Sequence, residues 1–150
     1  MVSQEPRGLV DTNVVILMGH LDPELLPGEP LISAVTLAEL SVGPLVTEDP
    51  HERAARQAHL QQAEADFQPV PFDAEAARAF GRVAADLRRS GRKPRARAFD
   101  ALIAATAVAR DLPLFTTNPD DFSGIGDLDV RALPRPEGTR PGSAARSTAP

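Results

Sequence analysis

The 150-residue sequence contains no cysteine. Disulfides and thiolate-bound metals are therefore excluded, and a reducing, cytoplasmic setting is expected. Tryptophan and tyrosine are also missing, so the aromatic content, 4%, is entirely phenylalanine. Base-stacking platforms of the kind that grip single-stranded nucleic acid are not expected from such a composition. No stretch approaches the roughly 20 apolar residues that cross a bilayer, and no membrane association is expected. Residues 1–8 are polar and lack the apolar centre of a secretion signal. Lysine is nearly absent: Lys93 is the single one, and arginine supplies the rest of the 16 basic residues. The 21 acids outnumber them and leave a net charge of −5. A chain of that sign repels nucleic acid unless positive charge gathers locally or a bound cation reverses the field.

What is present suits one globular domain. Apolar residues make up 42% and charged residues 25% of the chain, enough for a genuine core at this length. The run 8–10 reads as a strand that breaks at Asp11-Thr12-Asn13 into the first turns of a helix. Residues 27–30 read as a turn and Leu31-Ile32 as a short second strand. Ser33 then caps a helix over 34–42, where Val35, Ala38 and Val42 recur at helical spacing and Gly43-Pro44 stops the run. A charged, alanine-rich helix over 52–65 begins near Asp49-Pro50. Pro69 and Pro71 allow only an edge or irregular strand over 67–72. Asp73 caps a helix over 74–90 with Ala76, Phe80, Val83, Ala84 and Leu87 on one face, ended by Gly91. Residues 98–109 are apolar around most of a helix, which predicts burial. A strand over 112–117, a turn from Asn118 to Phe122 and a last strand over 130–133 follow. Residues 1–134 are expected to form the domain. The stretch 135–150, rich in Pro, Gly, Ser and Arg, is expected to be a disordered tail. Helices alternating with short strands predict an α/β sandwich on a mainly parallel sheet, with ligands bound beyond the carboxyl ends of the strands.

Acids stand where such ligands bind. Asp11 follows the first strand directly, although taken alone it is better read as a helix N-cap, a place aspartate fills well. Glu39 sits among Leu37, Ala38, Leu40 and Val42, where an exposed helical glutamate is the competing reading. Asp100 is flanked by Phe99, Ala101, Leu102 and Ile103. A carboxylate on so apolar a helix is costly unless paired, though its first-turn position suits the helix dipole. Asn118-Pro119-Asp120-Asp121-Phe122 follows the third strand, where a capped Asn-Pro turn is the alternative. Together these positions carry acids from distant segments to one sheet edge. Clustered carboxylates raise one another's pKa values unless a cation neutralises them. With no Cys, and with His20, His51 and His59 lying elsewhere in the sequence, the donors suit Mg²⁺, with Mn²⁺ as substitute, rather than zinc.

At these residues the chain resembles the PIN-domain nucleases, specifically the VapC-type toxins. The resemblance runs through Leu9-Val10-Asp11-Thr12-Asn13, Ser33-Ala34-Val35-Thr36-Leu37-Ala38-Glu39-Leu40, Asp100-Ala101-Leu102-Ile103-Ala104-Ala105-Thr106-Ala107 and Leu114-Phe115-Thr116-Thr117-Asn118-Pro119-Asp120-Asp121-Phe122. It implies a Rossmann-like three-layer α/β/α sandwich and Mg²⁺-dependent RNA cleavage. It also implies a VapB-type antitoxin that blocks the site, and a homodimer. By the same resemblance Asp11, Glu39 and Asp100 are the core metal-binding acids and Asp121 the fourth, with Asn118 and Asp120 as alternatives. Asp11 and Asp100 would hold the ion directly and Glu39 would complete the shell. Asp121 would hold a second ion or orient water. Thr12, Asn13 and Thr116 would orient acids, water or substrate. Arg92, Lys93, Arg95 and Arg97 form the densest positive stretch of the chain together with Arg88 and Arg89. They are candidates for holding RNA phosphates, against the competing reading of a solvated loop. A PIN fold that only binds other proteins is the alternative function.

Overall fold

The computed structural model describes residues 4–93 and 97–136. Its centre is a sheet of four strands, β1 (Arg7–Val10), β2 (Glu29–Leu31), β3 (Leu114–Thr116) and β4 (Val130–Ala132), in the order β2-β1-β3-β4. All three pairings are parallel, with Leu9 opposite Leu31 on one side and Leu114 on the other. Among the described residues five α-helices accompany the sheet: α1 (Thr12–Leu17), α2 (Ala34–Val42), α3 (Pro50–Asp66), α4 (Ala74–Arg89) and α5 (Ala98–Ala109).

The two-residue period of a strand sends neighbouring side chains to opposite faces. Leu9 and Leu114 join a core with Val83 and Leu87 of α4 and Ile103, Ala104 and Ala105 of α5. Val10 and Phe115 join a second core with Val14 of α1, Leu40 of α2 and Ala63 of α3. Leu9, Val10 and Leu114 are fully buried. A sheet with apolar side chains on both faces needs helices on both, which is the three-layer sandwich expected. The Phe115 ring of β3 lies against Gly8 of β1, where a Cβ atom would come 2.5 Å from it. Only glycine fits there.

The helix boundaries follow local chemistry. Asp11, Ser33, Asp49 and Asp73 each accept an N–H from the first turn of the helix they precede. Helix α4 ends in a Schellman motif: Gly91, at φ 78°, and Arg92 donate to the carbonyls of Arg88 and Leu87.

The second strand departs from expectation. It covers Glu29–Leu31, not Leu31-Ile32, so Pro30 lies inside a strand rather than in a turn. Strand β2 is at the end of the sheet order, and an edge strand tolerates a residue that donates no hydrogen bond. The 67–72 stretch makes a single parallel bridge, Val70 to Ser33. The third strand is trimmed to Leu114–Thr116, and the Asn118–Phe122 turn contains a 3-10 segment, Pro119–Phe122. Leu133, just past β4, is buried. Arg135, assigned from sequence to the tail, donates to the Thr117 carbonyl at 3.3 Å. Residues 137–150 of that tail lie outside the described residues, as do Pro94, Arg95 and Ala96. Among the described residues no helix is long and apolar enough to cross a membrane.

Candidate metal centre

Strand β1 has β2 on one side and β3 on the other, so the chain leaves it in opposite directions. In an open parallel sheet such a reversal leaves a crevice outside the carboxyl ends of the strands. Asp11 follows β1 at that point. Its Oδ1 accepts the Val14 N–H at 3.0 Å and closes the first turn of α1. The Asn13 N–H and the Thr116 hydroxyl also bond the carboxylate. Capping and site membership are thus compatible in one side chain. At 5% exposure, burial raises the Asp11 pKa and the charge of Asp121 adds to the rise, while the three hydrogen bonds oppose it.

Helix α2 brings Glu39 to the same crevice. The Thr12 hydroxyl donates to Glu39 Oε1 at 2.7 Å and lies 3.0 Å from Thr36 Oγ1, which is fully buried. Burial raises the Glu39 pKa, Thr12 lowers it, and the charge of Asp11 raises it further. Among the acids, Thr12 therefore bonds Glu39. Thr116 holds Asp11, and its Oγ1 also accepts the Asn118 N–H at 2.9 Å.

Asp100 enters on the first turn of α5. Its carboxyl is pushed up to about 6, first by burial, then by the charges of Asp121, Glu39 and Asp11, with Arg97 opposing. Asp121 stands on the 3-10 segment, anchored in the core by Phe122 at 2% exposure. Arg97 Nη1 is 2.6 Å from Asp121 Oδ1 and 3.8 Å from Asp100 Oδ2.

Of the three candidates for the fourth position, Asp121 is the one whose charge acts on Asp11 and Asp100. Asp120 is exposed, and Asn118 Oδ1 accepts from the Arg135 guanidinium. Asn13 contributes its backbone N–H to Asp11 while its side chain is exposed.

The four acids are hard oxygen donors whose negative charges act on one another, the electrostatics that a hard divalent cation relieves. Their chemistry fits Mg²⁺ or Mn²⁺. Their spacing is more open than a coordination shell: among the described residues no three acids or histidines converge as a ligand group.

Positive charge rims the crevice. Arg92 Nη2 donates to Ser123 Oγ at 2.6 Å, and Arg97 and Arg135 reach Asp121 and Asn118. Three arginines from two distant stretches thus meet the 117–123 segment. Lys93 is exposed, and Arg95 lies outside the described residues. Two site neighbours escaped sequence reasoning. Thr36 stands one turn before Glu39, and a buried threonine in an apolar helix was a usable signal. Arg135 had none, since its partners depend on where β4 ends.

Residues 9–128 match the family model described as PIN domain. The chain is 40% identical over 128 residues to "Ribonuclease VapC5" of Mycobacterium tuberculosis (strain ATCC 25618 / H37Rv), covering 83% of this chain and 92% of that protein. It is 35% identical over 127 residues to "Ribonuclease VapC4" of the same organism, covering 83% and 95%. The crystal structure of VapBC-5 from Mycobacterium tuberculosis, a member of the VapBC family of toxin–antitoxin systems, superposes with a TM-score of 0.73 at 38% identity, covering 87% of this chain and 99% of that one. With residues 9–128 matched by that family model and 40% identity to a VapC ribonuclease, the chain belongs to the PIN domain family, in its VapC group.

Proposed function

We propose that this chain is a divalent-cation-dependent endoribonuclease and the toxin of a VapBC-type pair. One observation carries the reading: carboxylates from four separate elements meet at the sheet's reversal point closely enough that Asp121, Glu39 and Asp11 all raise the pKa of Asp100. A fold gains nothing in stability from such repulsion, so the arrangement answers to a ligand. The names of the VapC5 and VapC4 relatives support ribonuclease activity, and the VapBC-5 structure supports a VapB-type antitoxin as partner.

Asp11, Glu39, Asp100 and Asp121 would hold Mg²⁺, or Mn²⁺ in its place. Bound there, the ion supplies Lewis-acid activation of water and neutralises charge on the phosphodiester oxygens. The chain's own residues set the geometry. Thr116 and the α1 N-terminus fix Asp11, Thr12 fixes Glu39, and Phe122 seats Asp121. No histidine or cysteine stands among them. Arg92, Lys93, Arg97 and Arg135 would take RNA phosphates at the rim, which answers the objection posed by the net charge of −5. An acidic crevice equally suits a basic side chain of the antitoxin, the means by which VapB would block it. We place this nuclease in residues 1–134, in the cytoplasm, as a homodimer.

The test is RNA cleavage by the purified chain with Mg²⁺, beside Asp11→Ala. Cleavage by the wild type alone is expected. Equal activity in both proteins, or none in either, overturns the proposal and favours a PIN fold that acts by protein binding.

A further inference from the structure

Among the described residues, Arg97 is the sole basic side chain within ion-pair distance of any of the four crevice acids. Its Nη1 lies 2.6 Å from Asp121 Oδ1 and 3.8 Å from Asp100 Oδ2, and so spans two elements, α5 and the 3-10 segment, that contribute one acid each. These are oxygens that a divalent ion would need. Arg97 is also the N-cap residue of α5, with no capping hydrogen bond from its side chain. A cation at a helix N-terminus is opposed by the macrodipole. Arg88 and Arg89, by contrast, occupy the last turn of α4, where the dipole favours them. Arg97 is therefore retained by the two carboxylates and against its own helix. Its side chain is 42% exposed, with room to leave on its long flexible stem.

We propose that Arg97 is the built-in counter-ion of the crevice, an internal cation that a divalent ion must displace from Asp100 and Asp121 before the acids can close around it. This rests on the metal-dependent reading above and adds a device to it. The guanidinium holds two mutually repelling carboxylates together, and it sets a threshold on metal loading.

The experiment titrates Mn²⁺ alone into the full chain by calorimetry, comparing wild type with Arg97→Gln and Arg97→Lys. Arg97→Gln is expected to bind Mn²⁺ roughly three- to tenfold more tightly, the size set by two part-exposed ion pairs. The gain should shrink when Asp121→Asn is added, because the competitor and one of its anchors are then both absent. In chelator, Arg97→Gln should melt below wild type, since its removal leaves the repulsion between Asp100 and Asp121 unrelieved. Should that variant fail to fold, Arg97→Lys, which keeps the charge and loses the planar fork, should show a smaller gain in the same direction. An Arg97→Gln affinity equal to or weaker than wild type, or a gain that persists undiminished with Asp121→Asn, overturns the proposal. Absence of Mn²⁺ binding in every variant overturns both this proposal and the metal-dependent reading. Mn²⁺ binding without RNA cleavage by the wild type overturns the nuclease reading alone.

Discussion

Replacing Asp100 by asparagine should stabilise the chain in the absence of divalent metal while abolishing nuclease activity. The carboxyl of Asp100 is raised from 3.8 to about 6 by burial and by three neighbouring acids. Folding therefore favours its protonated form, and stability contributed by that form is full below the unfolded value of 3.8 and is lost as pH rises through about 6. At neutral pH the ionised group is a net burden. At about 1.4 kcal/mol per pKa unit the shift caps the burden at about 3 kcal/mol. The side chain is 33% exposed, and solvent screening roughly halves that figure, to about 1.5 kcal/mol. Asparagine keeps the shape and removes the charge, so the variant should melt higher by about 3–6 °C in a domain of this size. The assay is thermal unfolding followed by far-UV circular dichroism in EDTA, at several pH values from 4 to 8. The gap between variant and wild type should be near zero at pH 4, widen through the interval up to about 6, and stay constant above it. Millimolar Mn²⁺ should then raise the wild-type midpoint and narrow the gap, because an ion that binds only the folded state stabilises it by mass action. A variant less stable than wild type at pH 8 in EDTA, or a gap that does not vary with pH, means that like-charge repulsion and burial do not act on Asp100 as described.

Other perturbations separate the site from its scaffold. Thr12→Val removes the 2.7 Å hydrogen bond that orients Glu39; cleavage should fall about 10–100-fold, as when an outer-shell partner of a metal ligand is lost, with an unchanged far-UV spectrum, and undiminished cleavage would show that Glu39 needs no such support. Ser33→Ala removes the cap of α2, whose Oγ accepts the Val35 N–H at 2.8 Å; it should cost about 1 kcal/mol in urea unfolding, and a neutral result would mean that tertiary packing alone fixes the helix start. Gly8→Ala forces a Cβ to within 2.5 Å of the Phe115 ring and should destabilise by about 1–3 kcal/mol; a wild-type melting temperature would show that the Phe115 ring can move aside without cost.

The residues themselves carried most of the elements and drew attention to the acids at Asp11, Glu39 and Asp100. Capping signals at Asp11, Ser33, Asp49 and Asp73, the apolar period of α4 and the closure at Gly91 act within one helical turn, so their outcome is fixed locally. Alternation across β1 and β3 likewise determined which residues face which layer. Motif resemblance pointed to Asp11, Glu39 and Asp100 and to Asp121 as the fourth, with Asn118 and Asp120 as alternatives. The tertiary structure decided what those side chains touch. Thr12 bonds Glu39 across 27 residues, Arg97 reaches Asp121 across 24, and Arg135 folds back on Asn118 across 17. Such partners depend on strand order and on where each strand stops, and neither leaves a trace in local periodicity. The displaced boundary of β2 has the same origin, since Pro30 reads as a turn until its strand is known to lie at an edge. A chain records its short-range hydrogen bonding residue by residue, whereas the balance of charge in the crevice exists only once β1 and β3 lie side by side.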